Sequence, residues 1–175
     1  MKKLGILVTV MLAFVLNVKA QDIFSAARSN NVNELANYVK AGVNIDSSNA
    51  RGFSPLTLAV YNGSKDAVVF LLKNGANIEL QDKSGNTALM GAVFKGNLEM
   101  TALLLMHKAN INKQNFAGAT ALTFAATFGK AEMVQLLLEN GADKTIQDQS
   151  GKSPLDHATF QGNTSVVEML KDYSK

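Results

Sequence analysis

The sequence predicts an all-α fold, a solenoid of about five 33-residue helix-turn-helix repeats joined by hairpin loops. Three observations predict it. Gly52, Gly85, Gly118 and Gly151 stand 33 residues apart without slippage, and Gly63, Gly96, Gly129 and Gly162 keep the same interval. Ala26, Ala59, Ala92, Ala125 and Ala158 fall in the same register. Beside them run two apolar columns: Ile23, Leu56, Leu89, Leu122, Leu155, and Tyr38, Leu71, Leu104, Leu137, Leu170. A fixed period of this length marks one supersecondary unit copied along the chain, each copy stacked on its neighbours. Such an array works through an extended surface, so a binding face is sought before an active site.

The first twenty residues stand outside the period. Lys2 and Lys3 precede an apolar run from Leu4 to Leu16, and Asn17-Val18-Lys19-Ala20 follows. A basic start, a hydrophobic stretch and a small-residue site read as a secretory signal peptide over residues 1–20, cleaved after Ala20 to leave Gln21 first. A membrane anchor needs about 20 apolar residues, more than this run holds. The chain has no Cys, which excludes anchoring through an acylated cysteine and any disulfide framework. Lys and Arg total 17 against 14 Asp and Glu, and the leader's Lys2, Lys3 and Lys19 account for the whole excess. The mature chain is thus formally neutral, with no electrostatic footprint for nucleic acid or an anionic membrane.

The rest, residues 21–175, reads as a single domain. A truncated N-terminal cap spans 22–49, because the position matching Gly52 falls at Lys19, inside the leader. Full repeats follow at 50–81, 82–114 and 115–147, and 148–175 forms a C-terminal cap. In each repeat a hydroxyl residue, Ser54, Thr87, Thr120 or Ser153, is placed to cap the first helix by accepting an unpaired backbone N–H. The Pro or Ala that follows suits the first helical position. Asp66, Glu99 and Glu132 fall in the first turn of the second helix, where negative charge favours the helix dipole. Asn-Gly at 74–75 and 140–141 ends that helix with a residue able to take positive φ. Helices shorter than about 12–15 residues are marginal alone, so stability must come from each repeat covering its neighbour. Where Val39, Leu72, Leu105 and Leu138 form a column, the last repeat carries Lys171, the polar end that such an array needs.

The 33-residue length, the G-x-[ST]-[PA]-L opening, the central Ala and the LLxxGA ending resemble the ankyrin repeat over residues 22–175. Two departures fall in the repeat 82–114. The family usually has His after T-P-L, tying neighbouring loops; here stand Thr57, Met90, Thr123 and Asp156, of which Thr and Asp can partly replace that network and Met90 cannot. Gly42, Gly75 and Gly141 close their repeats, but Lys108 replaces the closing glycine, and a non-glycine residue in the left-handed region costs about 1 kcal/mol. Both departures make 82–114 the repeat expected to yield first.

The resemblance implies that partners bind on the concave face, at hairpin tips and the exposed side of the first helices. Carried over position by position, it points to Tyr61, Phe94, Lys95 and Phe160 on the first helices, with Phe128 beside Thr127, and to Arg51, Phe53, Lys83 and Phe116 near the hairpins. Exposed aromatics flanked by polar donors make a protein-binding hot spot; the competing reading packs them on the next repeat. A tip column of Gln81, Gln114 and Gln147 completes the candidate protein-binding set, with a solvated edge as its plainer reading. Phe53 and Phe116, in loops with little to bury them, stand out.

No motif supports catalysis: there is no HExxH, nucleophile elbow or phosphate-cradling loop, and with no Cys no thiolate ligand set. Asp156 and His157 are neighbours on a helix and do not face each other. Asn62-Gly63-Ser64 and Asn163-Thr164-Ser165 match the glycosylation sequon but sit at inter-helix turns, where Asn is expected anyway. The expected protein is therefore an exported, monomeric, non-catalytic interaction module with a protein partner and no cofactor, metal, nucleic acid or membrane ligand. It would be periplasmic or secreted. The alternatives are an inhibitor or protective accessory subunit of a periplasmic enzyme, and a secreted effector acting on host proteins.

Overall fold

The computed structural model describes residues 23–128 and 130–173. The expected signal peptide and its cleavage site fall in residues 1–22, which, with Gly129, Ser174 and Lys175, lie outside the described residues. The chain divides into two compact parts, Met1–Asn77 and Ile78–Lys175. All regular structure among the described residues is helical.

The first part holds α1 (23–28), α2 (Val32–Lys40), α3 (Pro55–Tyr61) and α4 (Lys65–Lys73). α3 packs on α4, and α4 on α2. The second part repeats one helix pair three times: α5 (Ala88–Lys95) with α6 (Leu98–Met106), α7 (Ala121–Thr127) with α8 (Ala131–Glu139), and α9 (Pro154–Phe160) with α10 (Thr164–Asp172). First helices stack in the order α5, α7, α9, and second helices in the order α6, α8, α10. The periodic columns are the reason. All five alanines, Ala26, Ala59, Ala92, Ala125 and Ala158, are fully buried, and only a methyl group lets adjacent helices approach so closely. Leu71, Leu104, Leu137 and Leu170 are buried beside them, each stabilising the stack by about 1.5–3 kcal/mol.

The first helices begin where the hydroxyl residues require. Ser54 accepts from Thr57 N, Thr87 from Met90 N, Thr120 from Thr123 N and Ser153 from Asp156 N. The residues after T-P-L do something other than tie neighbouring loops. Thr123 and Asp156 accept in return from the backbone N–H of their own cap residue, Thr120 and Ser153, completing capping boxes. Thr57 bonds the Ser54 hydroxyl at 3.1 Å, and Met90 is buried. The expected inter-loop network is thereby corrected: from these positions a short side chain reaches its own helix start before anything else.

Each hairpin is built on an Asx turn. Asn49, Asp82, Asn115 and Asp148, again 33 residues apart, each accept through Oδ1 from the backbone N–H groups two and four residues on. A second periodic set joins the ends of the second helices. Asp46 accepts from Asn77 N, Glu79 from Asn110 N and Asn112 from Asp143 N. The irregular closing residue Lys108 does adopt the left-handed conformation, with φ 66°.

Candidate functional site

Within 23–77, Arg51 is exposed at its hairpin tip. Phe53 departs from expectation. Its ring stacks on Tyr61, with centroids 5.4 Å apart and planes at 27°, so both are half-buried and Phe53 is no free loop aromatic.

Within Ile78–Lys175 the aromatics are open. Phe94 and Phe128, at the ends of α5 and α7, meet edge to face at 5.2 Å and remain 45% and 50% exposed. Phe124 lies 6.3 Å from Phe128 and supports it from below. Lys95 is exposed at the end of α5, next to Phe94. Phe116 is 62% exposed on its hairpin; its N–H donates to Ser84 O at 3.1 Å, so the loop under it is fixed. Lys83 is exposed on the preceding hairpin tip. Phe160, at the end of α9, is 79% exposed, and Lys152 Nζ sits 5.2 Å above its ring, a cation–π pair. Phe94 and Phe128 are therefore brought together, whereas Phe116 and Phe160 stand on their own supports.

The glutamine column braces the hairpins, with Gln81 half-buried and Gln114 and Gln147 exposed. Gln81 Nε2 donates to Gly85 O and to Gln114 O, and Gln114 Nε2 donates to Gly118 O and to Gln147 O at 3.1 Å. Each of these two amides holds its own hairpin and the next repeat at once, which is the loop-tying work expected of the residues after T-P-L. Gln147 contributes its carbonyl and is exposed. Gln149 adds to the ladder, its Nε2 donating to Phe116 O at 2.8 Å.

Several structural roles are not visible in the sequence. Lys130 stands where a second-helix cap belongs, yet its ammonium reaches back to donate to Val93 O and Phe94 O at the end of α5. Partial burial, and then the charge of Lys95, lower its pKa. Leu98 and Met106 are apolar residues of α6 that remain 37% and 77% exposed. The Asx column of Asn49, Asp82, Asn115 and Asp148 keeps the 33-residue register, but polar loop residues carry no sign of the turn they build. His157 is half-buried, and its Nε2 lies 2.7 Å from Asp148 Oδ2. Asp148 is held well below the usual carboxylate range, first by the Ser150 hydroxyl, then by the Lys152 N–H and by His157.

No three His, Asp or Glu side chains among the described residues converge as a metal site would require, and no described helix is long and apolar enough to cross a membrane. What the second part offers is apolar area on a rigid backbone, with lysines beside it. A family model for ankyrin repeats in three copies matches residues 23–115, and a second, for many copies, matches residues 104–158. No curated protein matched the sequence. Ankyrin repeats are generic protein–protein interaction modules and typically non-catalytic. The period, the paired helices with their hydroxyl caps and both family models agree: the chain belongs to the ankyrin-repeat family.

Proposed function

We propose that this protein is exported, to the periplasm or beyond, and there binds a partner protein without chemistry of its own. The partner contacts the side formed by hairpin tips and first helices, the concave side in this family. The observation that carries the reading is the set of exposed phenylalanines: Phe94 paired with Phe128, Phe116 on its hairpin and Phe160 at the end of α9. Aromatic rings on rigid backbone supply contact area at low entropic cost, and Lys83, Lys95 and Lys152 supply polar neighbours. Gln81 and Gln114 tie adjacent hairpins beside this surface, and Gln114 and Gln147 are themselves exposed there. Export rests on the leader pattern of residues 1–20, and N-terminal sequencing of the secreted protein is expected to return Gln21 as the first residue.

The binding surface is tested by replacing Phe94, Phe116 and Phe128 together with Ala. Exposed positions change stability by about 0.5 kcal/mol or less, so the melting temperature should hold. Capture of a stoichiometric partner from periplasmic extract should fall at least ~10-fold, as loss of a hot spot does. Undiminished capture by the folded triple variant overturns the surface. An enzyme recovered as the partner, and slowed when bound, specifies the inhibitor form of the reading.

A further inference from the structure

A cleft of about 670 Å³ opens in the part 23–77, between α1 and the hairpin that begins at Asn49. Phe24 and Leu58, both buried, and the half-buried Phe53 give it an apolar floor. Its rim carries Arg28 and Arg51, both exposed. Neither guanidinium has a hydrogen-bond or ion-pair partner among the described residues. Two cations lining one cleft, with no acid paired to them among the described residues, over an apolar floor are complementary to a carboxylate-bearing ligand with apolar side chains.

The backbone adds direction. At two hairpins of the part Ile78–Lys175, the residue two before the hairpin glycine donates its N–H to a carbonyl of the preceding hairpin: Phe116 N to Ser84 O at 3.1 Å, and Gln149 N to Ala117 O at 2.9 Å. Ala50 occupies that place in the hairpin lining the cleft, and its N–H has no acceptor among the described residues. An extended chain laid in the cleft would supply such a carbonyl, as strand addition does at an open edge.

We propose that this cleft takes an extended acidic segment of a partner protein. A backbone carbonyl of the segment receives the Ala50 N–H, its carboxylates pair with Arg28 and Arg51, and its apolar side chains rest on Phe24, Phe53 and Leu58. Charge selects this occupant over the chain's own leader, whose charged residues, Lys2, Lys3 and Lys19, are all basic. The site shares no residue with the phenylalanine surface, so either can fail without the other.

The test is amide and arginine side-chain NMR on the chain from Gln21, which retains every described residue. The titrant is the acetylated, amidated peptide Leu-Glu-Leu-Glu-Leu, with its Gln-for-Glu counterpart as control. The acidic peptide should shift the Ala50 amide and the Nε–H signals of Arg28 and Arg51 saturably. Arg28→Gln with Arg51→Gln should weaken binding at least ~10-fold, and raising salt to 0.5 M should weaken it further. Arg28 holds Ser64 through its backbone carbonyl, so the fold does not depend on the replaced side chains. Absence of a saturable Ala50 shift overturns the proposal, as does equal binding of the Gln peptide. Sodium acetate reproducing the arginine shifts with Ala50 unmoved reduces the site to a simple anion site and overturns it too. An Ala50 amide already protected from exchange without peptide would mean that the chain's own first residues fill the cleft, and this also overturns the proposal.

Discussion

In the repeat 82–114 the second helix closes on Lys108 at φ 66°, whereas in the repeat 115–147 the equivalent residue is Gly141 at φ 89°. Asn97 caps α6 by accepting from Met100 N, while Lys130, in the same place before α8, makes no such cap and sends its ammonium to the end of α5. Met90 is buried where Thr123 closes a capping box. Yet the two helix pairs keep the same register of buried Ala and Leu. The comparison teaches that the stacked face sets the repeat's geometry, and that departures at helix ends are absorbed locally or by the adjoining repeat. Ser64 shows the same compensation in 23–77: it has no cap bond to α4 but donates its hydroxyl to Arg28 O, at the end of α1.

The largest expected effect comes from a hairpin glycine with a neighbour pressed against it. A Cβ on Gly118 would lie 2.8 Å from Gln149 N and 2.9 Å from Asp148 Cα, both backbone atoms that cannot swing aside. Gly151, with a similar φ of 74°, has nothing within 4 Å. Left-handed strain alone costs about 1–2 kcal/mol, and forcing backbone apart adds about 1–3 kcal/mol. Gly118→Ala should therefore lose roughly 3 kcal/mol in urea unfolding, against about 1 kcal/mol for Gly151→Ala. Equal losses would mean that the hairpins do not bear on one another and that stacking belongs to the helices alone.

A smaller effect isolates the difference at the closing residue. Lys108→Gly removes left-handed strain but adds backbone entropy to the unfolded chain, for a net gain of about 0.5–1 kcal/mol. Gly141→Lys should lose about 1 kcal/mol, making the repeat 115–147 resemble its neighbour. In the wild type, amides of 82–114 should exchange fastest among the three internal repeats, and the exchange of Lys108→Gly and Gly141→Lys variants should reverse that order. Uniform protection in the wild type would leave Lys108 without consequence.

Much of this was legible because it is local. A hydroxyl before a Pro or Ala and a helical run locates each N-cap, and a Lys in a glycine column announces its positive φ. The alanine column needs only the period. What was not legible depends on a partner 33 residues away, or on which of two geometries is shorter. Gln81 and Gln114 look like polar loop residues until the next hairpin is placed beside them. Thr123 and Asp156 could in principle reach a neighbouring loop, and only the three-residue distance back to Thr120 and Ser153 shows why they do not. Phe53 read as exposed because nothing in the sequence says that Tyr61, at the far end of α3, stacks on its ring. The exposure of Leu98 and Met106 was not legible either, because α6 is apolar on nearly every side and periodicity cannot select the face that neighbours cover.

The smallest expected effect contrasts Asn115 with Asp148, which build the same Asx turn with an amide and a carboxylate. Asp148 is held deprotonated in the folded protein by the Ser150 hydroxyl, the Lys152 N–H and His157. A carboxylate whose folded pKa is depressed contributes stability that is fully present above its unfolded value of about 3.9 and lost as pH falls through the folded value. Asp143 and Asp156 are lowered as well, chiefly by the hydroxyls of Thr145 and Ser153, so acid should loosen residues 143–156 ahead of the hairpin at Asn115. The amide signals of Ser150 and Lys152 should titrate below about pH 4, while those of Ala117 and Ala119, held by an amide with no charge to lose, stay in place. Asp148→Asn should abolish that titration at little cost near pH 7, because Asn49 and Asn115 already form the turn with an amide oxygen. If the Ala117 and Ala119 signals move together with those of Ser150 and Lys152, acid acts on the stack as a whole and the hairpins are not independent reporters of their own first residue.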